Sequence, residues 1–451
     1  MLKRLGWIVV TLLALATARA EDARPGTETV LFDFTQPGLG DTWTAQGKIQ
    51  AGRARPPEIA AGEGTLPEGE AVELTAGPGG LFFTKKGQLK VDWPKVRQVA
   101  FWLYRSADEA RERPKAAMEV RFYEDDGRSW FWRRVDLEHT GWKRFEVPLA
   151  WCRWGEGHVP RWPEVNRLVF TFRDDSHVWI DNVALTAGDD KQGAALTLDQ
   201  LREIAFPDKP AADVKLVKRE HVAVLSDTAD LDAEKLADHL SKVSAAVYAE
   251  LPFLKPPPAS DPAPLLVFGT REAYQAFTPR FAERELAVIL PPQSGGFTIQ
   301  GIATSSWDAT LGTLRPVYSH EFIHASVGRS ALLDNKGEWF HEGLASAFQL
   351  RFHPQDNFGQ IVRSMLDEGQ PSLEALCNGE KIEMRYYPAA ATLVEMLLAH
   401  EKYKPRLPAL VAEFQKTGST NLGPHLGPAL ATSWDDLTAD WVAFCREKYT
   451  E

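Results

Sequence analysis

Polar and apolar positions alternate in short runs along the first third of the chain, and Gly, Pro, Asp and Asn punctuate them. Val30–Phe34, Gln98–Tyr104, Ala117–Tyr123, Arg167–Phe172 and Val178–Val183 are rich in aromatic and β-branched residues, so each reads as a strand. Several such runs between residues 28 and 187 predict an all-β sandwich. Residues 51–71, rich in Gly, Pro and Ala, read as a long loop. Residues 188–214 turn polar and read as a linker, with Leu196–Ile204 a candidate short helix. Beyond it the period changes. Asp232–Glu250 repeats at helical spacing, with Leu236, Leu240, Val243 and Val247 on one side. His221–Leu225, Leu265–Phe268 and Phe297–Ala303 read as strands, and the chain is mainly helical from Arg315 onward. Residues 215–451 are thus expected to form one α+β domain with a mainly helical C-terminal half.

The first residues carry a different signal. Lys3 and Arg4 precede an apolar run from Leu5 to Thr17, and Ala18-Arg19-Ala20 offers small residues where a signal peptidase reads. Residues 1–20 are expected to be a secretory signal peptide and the protein to be secreted or periplasmic, with no membrane-spanning segment after cleavage. The net charge of −11 comes with no basic run, which argues against a nucleic-acid partner. Three cysteines remain, Cys152, Cys377 and Cys445, too widely spaced for a zinc finger. Either Cys377 pairs with Cys445, or all three are buried thiols.

The chemistry concentrates at His320-Glu321-Phe322-Ile323-His324. Residues four apart on a helix share a face, so both imidazoles can meet one metal ion. Glu321 is placed to take a proton from the attacking water. Catalytic zinc takes three protein ligands and keeps an open position. Pro316 fits the first turn of this helix and Gly328 its end. A second helix follows at Trp339-Phe340-His341-Glu342-Gly343-Leu344-Ala345. On it Phe340, Leu344, Ala347 and Phe348 gather toward a core, and Glu342 points nearly opposite. Around Glu342 lie Trp339, Ala345 and Ser346 with Gly343 beside them, small enough to bring the His320–His324 helix close. His341 projects at the border of the apolar side, about 100° from Glu342.

Residues 315–350 resemble the gluzincin metallopeptidases, of the peptidase-MA-like branch, in which H-E-x-x-H is followed by a helix with a W-x-x-E-G-x-A pattern. Trp339, Glu342, Gly343 and Ala345 match it. The resemblance implies one Zn²⁺ per chain, held by His320, His324 and Glu342, with Glu321 as general base. It also implies that Phe297–Ser305 includes an edge strand that pairs with substrate. The G-x-M-E-N motif of gluzincin aminopeptidases is absent from Gly295–Gly301, which favours an endopeptidase. Tyr387-Pro388-Ala389-Ala390 is similar to a helix start that carries a Tyr near the metal, so Tyr387, with Tyr386 as its rival, is the candidate oxyanion donor.

Ten of the 15 Trp fall between residues 28 and 187, and most are expected in the sandwich core. Gly141–Leu149, Arg161–Val165 and Val178–Val183 resemble the galactose-binding-like jelly rolls of carbohydrate-binding modules. That resemblance makes a glycan ligand an expectation for this domain, and Asp181 and Asn182 candidates for either a structural Ca²⁺ or a turn. The expected function is zinc-dependent hydrolysis of peptide bonds in extracytoplasmic proteins or glycoproteins. The alternatives are a carbohydrate or cell-surface binding protein whose peptidase-like domain is silent, and an amidase acting on a non-protein amide.

Overall fold

The computed structural model describes residues 26–34, 39–56, 69–155, 157–188, 193–282, 294–369 and 371–449. The predicted signal peptide, residues 1–20, lies outside the described residues. The chain divides into two compact units, the first comprising residues 1–125, 133–152 and 162–195, the second residues 126–132, 153–161 and 196–451.

The strands up to residue 187 are β1 (Glu28–Phe32), β2 (Trp43–Gln46), β3 (Ile49–Ala54), β4 (Ala71–Ala76), β5 (Leu81–Thr84), β6 (Val96–Arg105), β7 (Ala117–Glu124), β8 (Trp130–Asp136), β9 (Gly141–Pro148), β10 (Arg153–Trp154), β11 (Val165–Phe172) and β12 (Ser176–Ala187). Two short helices, α1 (Leu39–Thr42) and α2 (Ala107–Glu112), interrupt them. One sheet of the first unit runs β3-β4-β12-β6-β9, with β1 also pairing to β12. The other contains the order β7-β11-β5-β2. Strand alternation builds the core between them. Val72 and Leu74 on β4, Phe101 and Leu103 on β6 and Val178 and Ile180 on β12 are fully buried, as are Val120, Phe122, Leu168 and Phe170 on β7 and β11. The expected N-terminal β-sandwich is therefore present. The loop expected at 51–71 is shorter, because β3 continues to Ala54 and β4 starts at Ala71; residues 57–68 lie outside the described residues.

Asp181 and Asn182, read as candidates for a Ca²⁺ or a turn, lie inside β12 rather than at a turn between strands. The Asp181 Oδ1 accepts from the Asn182 amide at 2.8 Å and the Phe34 amide at 3.2 Å. Asn182 has φ +49°, and the β12–β6 register shifts between Asp181 and Ala184, so the pair forms a bulge. Of the ten Trp expected mainly in the core, Trp43, Trp93, Trp162 and Trp179 are buried and the other six are half-buried.

The long continuous stretch of the second unit, from residue 196, opens with α3 (Leu198–Ala205), which carries a capping box between Thr197 and Gln200. Its sheet is built from β13 (Lys215–Lys218), β14 (Val222–Ser226), β15 (Ala263–Phe268), β16 (Gly296–Ile299) and β17 (Ile302–Ser306), in the order β13-β14-β15-β17-β16. The three central strands are parallel and both outer ones antiparallel. Helix α4 (Ala233–Glu250) crosses from β14 to β15, and α5 (Arg271–Ala282) follows β15. Leu236, Leu240, Val243 and Val247 of α4 are buried in one core with Val224, Leu265 and Val267 of the sheet. The helical half comprises α6 (Pro316–Ala331), α7 (Trp339–Phe352), α8 (Phe358–Asp367), α9 (Leu373–Asn378), α10 (Tyr387–Ala399), α11 (Leu407–Thr417) and α12 (Trp434–Tyr449). None of the described helices is long and apolar enough to cross a membrane.

The single strand expected at Phe297–Ala303 is a hairpin. Gln300 and Gly301 take φ +48° and +70°, and Ile299 pairs with Ile302 across this two-residue turn. Such a turn matches the twist of the flanking strands, and it makes β16 the sheet's outer strand. Cys152, Cys377 and Cys445 are buried thiols with no disulfide between any two of them, so Cys377 and Cys445 do not pair.

Candidate metal centre

Pro316 occupies the first turn of α6, where its missing N–H costs nothing. The helix passes the expected stop at Gly328 and ends at Leu332, whose φ of +56° is left-handed. The Leu333 amide donates to the Gly328 carbonyl at 3.1 Å, closing the end without a terminal glycine. Gly328 has a packing role instead, since a Cβ there would lie 3.0 Å from the Leu333 carbonyl.

His320 and His324 sit one turn apart on α6 with ring centroids 4.7 Å apart. From α7, Glu342 Oε2 lies 3.2 Å from His320 Nε2 and 3.4 Å from His324 Nε2. The two Nε2 atoms are 3.1 Å apart. A tetrahedral ion with bonds of ~2.0 Å spans ligand pairs about 3.3 Å apart, so this donor triangle fits zinc in size and chemistry. Among the described residues, His320, His324 and Glu342 form the one group of three or more metal-type side chains. All three are buried. Burial works against the Glu342 carboxylate, yet the imidazoles of His324 and His320 hold it well below the usual range. Burial likewise opposes charge on His324, but Glu342 raises it overall.

Glu321 is buried beside this group, and burial raises its carboxyl above the ordinary value against the pull of His320, His324 and Thr298. Two features of β16 position it. The Thr298 hydroxyl lies 2.7 Å from Glu321 Oε2 and 3.0 Å from the Glu321 carbonyl. Gly296 lies directly against the same side chain: a Cβ there would stand 2.6 Å from Glu321 Cγ and 2.8 Å from Oε1. Sequence reading missed both residues. The one local signal was the Gly295-Gly296 pair, read only as a departure from an aminopeptidase motif.

Tyr387 opens α10 with its ring parallel to that of His320, at an interplanar angle of 6° and 6.2 Å between centroids. Burial, and then the nearby Glu342 carboxylate, push its phenol upward, so it remains a proton-bearing donor. Tyr386 instead lies under the Arg385 guanidinium, 4.8 Å from its ring centroid. Thus the geometry brings Tyr387, rather than its rival, to the histidines.

Helix α7 differs from expectation in two ways. His341 is not at a border but buried at 2% exposure, since both faces of the first two turns are covered. Burial lowers its imidazole to about 3, and its Nε2 has no partner among the described residues. Gly343 opens toward α10 rather than α6: a Cβ there would lie 2.5 Å from the Ala390 carbonyl. That close approach seats the helix carrying Tyr387 against the helix carrying Glu342.

No family model and no curated protein matches the chain. Among solved structures it is similar to the family 11 carbohydrate-binding module of the cellulosomal cellulase Lic26A-Cel5E of Clostridium thermocellum, at 16% identity over 36% of this chain and 95% of that one, with a TM-score of 0.25. It is similar to the CBM22-1 xylan-binding domain of Paenibacillus barcinonensis Xyn10C at 12% identity over 37% and 97%, with a TM-score of 0.24. It is also similar to the arabinose-bound MgGH51 α-L-arabinofuranosidase at 15% identity over 41% and 30%, with a TM-score of 0.26.

Proposed function

We propose that the second unit is a zinc-dependent peptidase of the gluzincin type, cleaving peptide bonds in secreted or periplasmic proteins or glycoproteins. The observation that carries this reading is the donor triangle of His320, His324 and Glu342, with separations of 3.1, 3.2 and 3.4 Å, beside the buried Glu321. When bound, zinc supplies Lewis-acid polarisation of the scissile carbonyl and acidifies water. Glu321 takes the proton of the attacking water and returns it to the leaving amine. Thr298 and Gly296 fix the direction of that carboxylate. The Tyr387 phenol donates to the oxyanion that forms as the carbonyl is attacked. As the outer strand of its sheet, β16 offers backbone groups along which an extended peptide can lie. With no amino-terminal anchor motif between Gly295 and Gly301, internal cleavage is favoured over trimming.

The test is digestion of a proteome-derived peptide library by the zinc-supplemented protein, read by mass spectrometry. New termini with the wild type, absent with Glu321→Gln, support the reading. Equal termini from both proteins, or none from either, overturn it.

A second reading is carbohydrate binding by the first unit, with the peptidase-like unit silent. It is favoured by one feature of the β3-β4-β12-β6-β9 sheet: Glu73, Trp179, Tyr104 and Trp142 are cross-strand neighbours in one row, and Trp142 is half-buried. Aromatic faces stack on sugar rings. A glycan array probed with the full chain tests it: signal lost in Trp142→Ala supports binding, and no signal leaves the unit without a sugar.

A further inference from the structure

Outside the Glu342 site, two other histidines converge. His239 on α4 and His353, the residue that ends α7, bring their Nε2 atoms to 3.2 Å. Ser319 Oγ lies 3.0 Å from His239 Nε2 and 3.1 Å from His353 Nε2. The three come from distant parts of the sequence, and each is held by its helix. Pro354 forbids α7 to continue, which leaves His353 at its end. Phe352 packs edge-on against the His239 ring at 5.7 Å between centroids. Ser319 is fully buried, whereas both imidazoles are half-buried and reachable from solvent.

We infer that His239, His353 and Ser319 form a second metal site, separate from the His320–His324–Glu342 group, that takes a divalent first-row transition metal. The donor atoms form a nearly equilateral triangle of 3.0, 3.1 and 3.2 Å, close to the about 3.3 Å edge expected for ligands bonded at ~2.0 Å. Two imidazoles prearranged in this way suit zinc, nickel and above all copper, the strongest binder of the series. Burial, followed by the neighbouring His353, lowers His239 to about 4, and burial also lowers His353, so both nitrogens are neutral at pH 7. The solvent side leaves the remaining positions open for water. An ion here would tie α4, α6 and α7 together, with Ser319 about 100° around α6 from His320.

The experiment is Cu²⁺ titration of the full chain, with bound metal counted after gel filtration and copper examined by electron paramagnetic resonance. Wild type is expected to bind one more ion per chain than His239→Ala or His353→Ala, and the spectrum of wild type minus either variant is expected to carry nitrogen hyperfine structure. Far-UV circular dichroism matching the wild type shows that the variants are folded. Repeating the comparison in a Glu342→Ala background separates the two centres, because the His239-dependent ion persists there whether or not the first group holds metal. Equal stoichiometry in wild type and both folded variants overturns the inference and leaves a hydrogen-bonded triad.

Discussion

Thr298→Val removes one hydroxyl from the edge strand while keeping the side-chain volume close to that of the native residue. The lost contact is the 2.7 Å hydrogen bond to Glu321 Oε2, together with the 3.0 Å contact to the Glu321 carbonyl. Hydrogen bonds to charged groups contribute about 1.5–3 kcal/mol. Glu321 is only 7% exposed, so solvent cannot readily replace the donor, and the upper part of that range applies. At ~1.4 kcal/mol per tenfold, loss of that orientation should lower kcat about 40- to 150-fold. Thr298 touches neither His320, His324 nor Glu342 in the hydrogen-bond network, so zinc content should stay at the wild-type level. The assay is steady-state cleavage of a fluorogenic peptide taken from the library digest, with zinc measured on the same preparations. Thr298→Ser, which restores the hydroxyl, should recover most of the rate. Wild-type kcat in Thr298→Val, or failure of Ser to rescue, would refute the positioning argument.

Gly296→Ala should retain zinc but lower kcat by about 10², because a Cβ 2.6 Å from Glu321 Cγ must displace the carboxylate, and misplacement by 1 Å costs about that much; unchanged turnover would remove β16 from the site. Tyr387→Phe should lower kcat by roughly 10² with little change in KM, while Tyr386→Phe should not; the reverse pattern would move the oxyanion donor by one residue. Glu321→Gln should keep its metal and lose at least about 10² in rate, measured on the same peptide; near-wild-type turnover would exclude it as the base.

The parts of this site that were legible in the sequence are those a single helix dictates. His320 and His324 converge because four residues make about one turn, and Trp339-Phe340-His341-Glu342-Gly343 announces a second helix by its own pattern. The sandwich was legible because short runs rich in aromatic and β-branched residues, such as Val178–Val183, are separated by Gly, Pro, Asp and Asn. What stayed hidden depends on contacts between distant segments. Thr298 acts on Glu321 from another element, and Gly343 is small because of Ala390, which no local pattern records. The hairpin was missed because Gln300 is an unusual residue at positive φ, so the turn lacked the Asn-Gly or Asp-Gly signal that marks most two-residue loops. His239 and His353 were silent for the same reason as Thr298: each reads as an ordinary helix residue until α4, α6 and α7 pack.

Whether His320, His324 and Glu342 together hold a zinc ion is decided by zinc retention in two neighbouring variants. Wild type, Glu342→Ala and His341→Ala are loaded with zinc, dialysed against zinc-free buffer and analysed for metal per chain. Glu342 stands 3.2 and 3.4 Å from the two imidazole nitrogens, whereas the His341 ring lies 6.5 Å from that of His324 and outside the donor triangle. Wild type and His341→Ala are expected to retain one more zinc ion per chain than Glu342→Ala. Retention by Glu342→Ala together with loss in His341→Ala would contradict this.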